Sequence, residues 1–536
     1  MQQKVTVKLS NTHQTQQNQG FPTILEYCKC NDIPLMNTPC GGKGTCGKCK
    51  VLVTKPYNKE VLACQTKVCE DMEFVIENTS RTDDMVVLTD GAASDITNAI
   101  EHNEGSGSGI WDSTLAACDI GTTTVVCYLI DGTTGNILST RSAANPQRSF
   151  GADVLSRIEA AGNNGNLAIM QSQIVRLLDN WIADMLMECG RSEVSLLSIA
   201  GNTTMCHLLM GMSPEKLGKA PFLPDEYFGK AFDPAKIGIN KCQNMIIFPA
   251  VSGFVGGDIT AGMMKTVNPD ELTLFLDIGT NGEMALGCGD RYVCCATAAG
   301  PAFEGAEIEM GMPASKGAVD KVWLEGRRIK YTVIGNDRPI GICGSGLIDA
   351  LAVLLQAGII DENGTIQSGN ELPILFRSYV FETEFEMSAE DLQSGATGKV
   401  YEPGTQLAVH IAPGVYLTQE DIRKLQLAKG AIAAGIDVLF REYPCKAAEI
   451  DSLTFAGGFG NYINKASAAA IGIFPKELLD KTREVGNAAG NGAIAAALSK
   501  EALDKAILIS RKMQYIELAS YLGFEDLYVE HMNFSK

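Results

Sequence analysis

Cys118-Asp119-Ile120-Gly121-Thr122-Thr123-Thr124 returns 158 residues later as Leu276-Asp277-Ile278-Gly279-Thr280-Asn281-Gly282. Each copy follows apolar residues and feeds a hairpin pattern. In the first, Val125 to Ile130 is followed by a turn at Asp131 to Gly135 and a return strand; in the second, Met284 to Leu286 is followed by Gly287 to Asp290 and then Tyr292 to Cys295. Self-similarity of this kind predicts two related lobes. The turn suits phosphate: glycine allows close backbone approach, threonine hydroxyls and N–H groups donate to phosphate oxygens, and a carboxylate at the strand end suits hydrated Mg²⁺. The candidates are Asp119, Gly121, Thr122, Thr123 and Thr124 in the first copy, and Asp277, Gly279, Thr280 and Asn281 in the second. Two ordinary β-turns are the plain alternative, disfavoured because Asp, Gly and Thr repeat together.

Outward from these turns, strands rich in Val, Ile and Leu alternate with long helical patterns to the end of the chain, which predicts an α/β architecture in two lobes, 115–270 and 271–536. Leu453 to Gly460 reads as a strand ending in glycines, where Gly457, Gly458 and Phe459 let a flat base lie against backbone. Gly344 and Ser345 precede the helical pattern Leu347 to Ala357, and Ser345 fits either a helix N-cap or a contact to a nucleotide or another cofactor. Asp258, after Gly256-Gly257, fits either a carboxylate orienting Mg²⁺ or water, or an N-cap. Val485 to Ala493 is a glycine-spaced helix start suited to close packing between lobes.

Residues 1–80 form a separate β-rich block with a helix-like stretch from Thr23 to Asn31. Within it, Cys40, Cys46, Cys49 and Cys64 are spaced C-x5-C-x2-C-x14-C on a glycine-rich loop. Thiolates are soft ligands for iron–sulfur clusters, and glycines let them converge with backbone N–H groups turned toward the sulfides. A zinc site would more often use paired hooks, and Cys69 is the substitute for Cys64. Gly42 to Lys48 also satisfies a phosphate-loop pattern, but Cys49 stands where that motif needs Ser or Thr, and a strand follows instead of a helix. Residues 81–114 are polar, acidic and Gly/Ser-rich, the composition of a tether.

The chain has 536 residues, 45% of them hydrophobic, with 44 Lys and Arg against 63 Asp and Glu, a net charge of −19. That balance disfavours nucleic acid and anionic lipid as partners. No apolar run is long enough to span a bilayer and no secretory signal is evident, so a cytoplasmic location is expected. In a reducing compartment the 17 cysteines are not a disulfide framework; most are expected to be buried fillers. His207, His410, Met205, Met210 and Met212 are read as packing residues.

The cysteine loop resembles the plant-type ferredoxin family, which implies a [2Fe–2S] cluster on a β-grasp fold. The paired turns with Gly457, Gly458 and Phe459 resemble the phosphate and adenosine motifs of the acetate and sugar kinase, heat-shock chaperone and actin superfamily. That implies two ribonuclease-H-like lobes closing over ATP and Mg²⁺, with Asp119 and Asp277 as catalytic carboxylates and Asp258 as a third. The order of parts, with Ala200 to Met205, Leu276 to Glu283, Ala299 to Ala306, Gly341 to Leu347 and Ala456 to Asn461, resembles the reductive activators of corrinoid proteins over nearly the whole chain. The resemblance implies one-electron, ATP-dependent reduction of Co(II) to Co(I). It also implies a corrinoid protein partner from a methyltransferase, O-demethylase or acetyl-CoA pathway system, a low-potential electron donor, and a homodimer. It implies a middle domain ahead of the first turn as well, where only Arg81 to Ala117 stand, so that domain is expected to be missing. Two other activities compete. An activase for a 2-hydroxyacyl-CoA dehydratase would need a close cysteine pair in the ATPase, and Cys294-Cys295 would face opposite sides of a strand. A metabolite kinase with an attached redox module would need a substrate hydroxyl pocket.

Overall fold

The computed structural model describes residues 2–6, 22–30, 33, 38, 41–44, 49–69, 72–77, 113–163, 165–305, 307–384, 404–457 and 463–534. Met1–Thr266 with Asn487–Tyr515 make one compact unit, and Val267–Gly486 with Ile516–Lys536 make the other. Against lobes expected at 115–270 and 271–536, the main span of the first unit ends at Thr266, and Asn487–Tyr515 returns to it.

In the first unit, β1 (Gln2–Thr6), β2 (Lys50–Lys55), β3 (Lys59–Leu62) and β4 (Glu73–Glu77) form an antiparallel sheet in the order β1-β4-β2-β3. Alternate residues Val51, Val53, Phe74 and Ile76 are buried with Ile24, Leu25 and Cys28 of the helix Ile24–Cys30, the period-2 pattern of a half-buried sheet. The tether, residues 81–112, lies outside the described residues.

The larger sheet of this unit contains β5 (Thr114–Ile120), β6 (Thr124–Asp131), β7 (Ile137–Ala144), β8 (Val194–Gly201), β9 (Lys230–Phe232) and β10 (Cys242–Ile247), ordered β7-β6-β5-β8-β10-β9. Cys118 and Ile120 of β5 face the core shared with Ile174, Leu178 and Ile182 of the helix Asn166–Glu188. Period-2 alternation leaves Asp119 on the other face, where the helix Ala488–Leu498 packs. That helix is built of Ala and Gly so that it can lie close. A Cβ at Gly492 would stand 2.2 Å from the carbonyl oxygen of Ala261 in the helix Gly257–Thr266. The glycine spacing therefore serves packing within this unit, not between the expected lobes.

The second unit repeats the plan with β11 (Thr273–Ile278), β12 (Gly282–Cys288), β13 (Arg291–Thr297), β14 (Ala318–Glu325), β15 (Arg328–Val333), β16 (Gly341–Ile342), β17 (Val380–Glu384), β18 (Thr405–Ala412), β19 (Val415–Thr418), β20 (Ser452–Ala456) and β21 (Thr482–Glu484). β13-β12-β11-β20-β21 has the pairing senses of β7-β6-β5-β8-β10: three antiparallel strands, then two parallel to the central one. The sequence repeat is thus a repeat of topology, with Asp119 and Asp277 at the ends of the two central strands. β14 to β16 and β17 to β19 form two smaller sheets. The helices Gly344–Gln356 and Gln419–Glu442 contribute Leu347, Leu351, Ile432 and Ile436 to one core with Leu274, Leu276, Leu453 and Phe455.

Candidate functional site

The first turn is held by its carbonyls. Asn145 donates from its amide nitrogen to Gly121 O (2.8 Å) and from its backbone N–H to Thr123 O (2.8 Å), and the guanidinium of Arg157 donates to Thr122 O (2.5 Å). Asn202, which caps the helix Thr203–Met210, donates to the Thr122 hydroxyl (2.9 Å). Across a trans peptide, each anchored C=O turns the next N–H the opposite way. The N–H groups of Thr122, Thr123 and Thr124 therefore point away from these anchors, as a phosphate-binding turn requires. Asn145 and Arg157 were missed in sequence. Their only signal was a polar Asn-Pro pair after β7 and an Arg on the apolar face of the helix Val154–Ala161.

Asp119 and Asp258 come together beside this turn. Loss of hydration and the neighbouring Asp258 carboxylate push Asp119 up to about 7, opposed by a hydrogen bond from the Asn487 side chain. Loss of hydration pushes Asp258 up to about 6. Both side chains are partly accessible as a whole, but their carboxylates are withdrawn from water. Asp258 lies inside the helix Gly257–Thr266, its carboxylate accepting from Ile259 N–H (2.9 Å), so it is not the N-cap. Two shielded carboxylates with raised pKa values form an oxygen donor set that suits a hard divalent cation such as Mg²⁺.

In the second unit, Asp277 ends β11 opposite Ala456 of the parallel β20. Gly457 follows with φ +95°, and a Cβ there would stand 2.5 Å from Asp277 Oδ1 and 2.8 Å from Ile278 O, so only glycine fits. Gly279 N–H closes the turn on Asn281 O (2.8 Å). The Thr280 hydroxyl donates to Glu304 (2.8 Å), and Asn281 donates to Glu283 (3.0 Å). Gly458 and Phe459 lie outside the described residues. Ser345 is not the N-cap of its helix: Cys343 holds that position, and the buried Ser345 hydroxyl donates to Asp320 O (2.8 Å), with Gly344 buried beside it.

Two of the four cysteines expected to hold a cluster are described. Cys49 Sγ and Cys64 Sγ stand 3.3 Å apart, near the roughly 3.8 Å edge that about 2.3 Å metal–thiolate bonds would give a tetrahedral site. Gly41, Gly42 and Gly44 all have positive φ, and Gly44 passes so close to Gln65 that a Cβ would meet its side chain at 2.3 Å. The loop thus folds over the Cys64–Gln65 turn. Cys40 and Cys46 lie outside the described residues. Most of the other described thiols are buried, and burial pushes Cys28 up to about 12 and raises Cys206, Cys242 and Cys294 further, whereas Cys69, Cys189, Cys288 and Cys445 are partly exposed. Cys294 and Cys295 are both fully buried on β13, and Cys295 points into the core of its unit. His207 is a core residue, its Nδ1 bonded to Thr203 O (2.7 Å), and His410 stacks on Phe381.

A duplicated five-strand plan with an Asp-Ile-Gly-Thr turn on each central strand defines an ATPase of the actin and sugar-kinase class. Residues 271–536 match the family model described as the C-terminal domain of RACo, the ASKHA domain, and residues 115–267 match the model described as the RACo middle region. The middle domain expected to be missing is therefore present, and it contains the first turn. The chain is 33% identical over 583 residues to the corrinoid activation enzyme RamQ of Eubacterium limosum, with 95% of this chain and 96% of that one covered. It is 25% identical over 370 residues to the Co(II) methylated amine-specific corrinoid protein reductase of Methanosarcina barkeri, covering 64% and 59%. A solved reductive activator for corrinoid, iron–sulfur protein superposes with TM-score 0.67 at 30% identity, covering 96% of this chain and 95% of that one. The chain belongs to the family of reductive activators of corrinoid proteins. It is an enzyme of ATP-dependent reductive activation. No helix among the described residues is long and apolar enough to cross a membrane.

Proposed function

We propose that this chain uses ATP to drive a single electron from a [2Fe–2S] cluster on residues 1–80 to the cobalt of a corrinoid methyl carrier, returning Co(II) to Co(I). The observation that carries the assignment is the Cys49–Cys64 thiol pair, 3.3 Å apart, on the same chain as the duplicated phosphate turns. Cys40, Cys46, Cys49 and Cys64 would hold the cluster; the cluster would supply one-electron chemistry at low potential. Asp119 and Asp258 would hold Mg²⁺, Gly121 to Thr124 the phosphates, and Asp277, Gly279, Thr280 and Asn281 the equivalent contacts of the second turn. Gly344, Ser345, Gly457, Gly458 and Phe459 would line the adenosine side.

Energetics explain why ATP is needed. Plant-type clusters sit near about −400 mV, and each roughly 59 mV of uphill one-electron transfer costs a factor of ten in equilibrium. An acceptor of lower potential is reduced only if another reaction drives the step. A low-potential donor would reload the cluster, and a homodimer in the cytoplasm is the proposed working form. The test is to mix the cluster-loaded protein with a candidate Co(II) corrinoid protein, ATP and a low-potential reductant. The Co(I) spectrum should appear only with ATP; its appearance at the same rate without ATP would overturn the coupling. Phosphorylation of a small sugar would instead favour the kinase alternative.

A further inference from the structure

We propose that residues 145–159 are the coupling element of the molecule: this stretch both holds the first phosphate turn and seats the cluster module, so that nucleotide binding and module docking favour one another. The inference rests on the assignment of ATP to Asp119–Thr124 made above.

The seat is made by backbone and one ring. Thr38 donates from its hydroxyl to Arg148 O (3.3 Å) and Ser149 O (3.1 Å). Gly41 passes so close that a Cβ would stand 2.9 Å from Phe150 O. Lys43 Nζ pairs with Glu159 (2.7 Å), and Lys29 Nζ lies over the Phe150 ring at 4.4 Å. The exposed ion pair adds little by itself; the shape of the Arg148–Phe150 backbone decides whether the other contacts form.

That backbone is tied to the phosphate turn by a buried fork. Arg157 is 0% exposed, and its guanidinium donates to Gly151 O (3.0 Å), directly after the seat, and to Thr122 O (2.5 Å), in the turn, with Met205 Sδ as a third neighbour (3.2 Å). Asn145, at the other end of the seat, takes up Gly121 O and Thr123 O. A guanidinium presents its donors in a fixed plane, and a buried charge that loses an acceptor is costly. Neither carbonyl can move without the fork following. The arrangement that aims the N–H groups of Thr122 to Thr124 outward is therefore the arrangement that presents the seat. A ligand that selects one selects the other, by the same factor in both directions.

Hydrogen exchange on the full-length, cluster-loaded protein tests this, with Mg²⁺ and a non-hydrolysable ATP analogue as the probe. Analogue binding should slow exchange at 121–124 and also, by about fivefold or more, at 41–44. Arg157→Lys keeps the charge but loses the fork, so it should weaken analogue binding and, at analogue concentrations that still protect 121–124, remove the response at 41–44; a response at 41–44 that persists there would overturn the role of the fork. Thr38→Glu sets a carboxylate against two carbonyl oxygens at a buried contact; with its cluster spectrum intact, it should bind the analogue about fivefold or more weakly. Protection at 121–124 with no change at 41–44 in the unaltered protein, or unchanged analogue affinity in Thr38→Glu, would overturn the coupling. Absence of protection at 121–124 itself would overturn the nucleotide assignment, and the inference with it.

Discussion

Asp119, pushed up to about 7, and Asp258, pushed up to about 6, hold their protons more tightly in the folded chain than an exposed carboxylate near 3.8 does. The stability this lends is fully present below the unfolded value, near 3.8, and is lost as pH rises through 6 to 7, where two shielded negative charges face each other. A divalent cation held by the pair, as proposed, would replace the protons and reverse the loss. Mg²⁺ alone should therefore raise the thermal midpoint at pH 8 and have little effect at pH 5. Asp258→Asn should raise the midpoint at pH 8 without Mg²⁺, by about 1–3 kcal/mol of stability, and abolish the Mg²⁺ effect. Equal Mg²⁺ effects at both pH values would show that the pair does not bind the ion. At the cysteines, Cys40→Ser, Cys46→Ser, Cys49→Ser and Cys64→Ser should each remove the [2Fe–2S] absorption and EPR signal, while Cys69→Ser should keep it. The 3.3 Å approach of Cys49 and Cys64 is why Cys64 is proposed over Cys69, a choice that spacing alone left open.

At the scale of elements, β5 and β11 each end at a turn that the neighbouring parallel strand must clear. β20 clears it with Gly457, whose φ is +95° and whose missing Cβ leaves room for Asp277. Gly457→Ala should cost about 1–3 kcal/mol in denaturant unfolding and displace the Asp277 carboxylate, lowering ATP turnover more than it changes cluster content. A variant with normal turnover would show that Asp277 tolerates displacement. Much of this level was legible in sequence: both hairpins after the turns, the helix at Ile24–Cys30 and the glycine-terminated strand Ser452–Ala456 fall where periodicity and turn residues put them. The anchors of the first turn were not. Asn145 and Arg157 bond to backbone carbonyls 24 and 35 residues away, and a bond to a carbonyl leaves no trace in the identity of the residue that accepts it. Ser345 and Asp258 misled for a related reason: each stands at a helix start, but the cap is decided by backbone conformation one or two residues earlier, at Cys343 for Ser345.

At the scale of the whole molecule, the proposed cluster block and the ATPase should be separable in what they require. Asp119→Ala and Asp277→Ala should each abolish ATP hydrolysis and ATP-dependent Co(I) formation while leaving the cluster spectrum intact. Loss of the cluster in either variant would contradict that separation. The amino-acid order by itself determined that there are two homologous sheets, a cysteine loop ahead of them and an acidic tether between. Those features rest on local period, turn chemistry and repetition, which are properties of neighbouring residues. Only the tertiary structure decided that Asn487–Tyr515 returns to the first unit, that Asn487 meets Asp119, that Cys64 meets Cys49, and that Arg157 joins the phosphate turn to the seat of the cluster loop. These pairings join residues up to 368 positions apart. They come from how apolar faces bury against one another, and no local pattern encodes them.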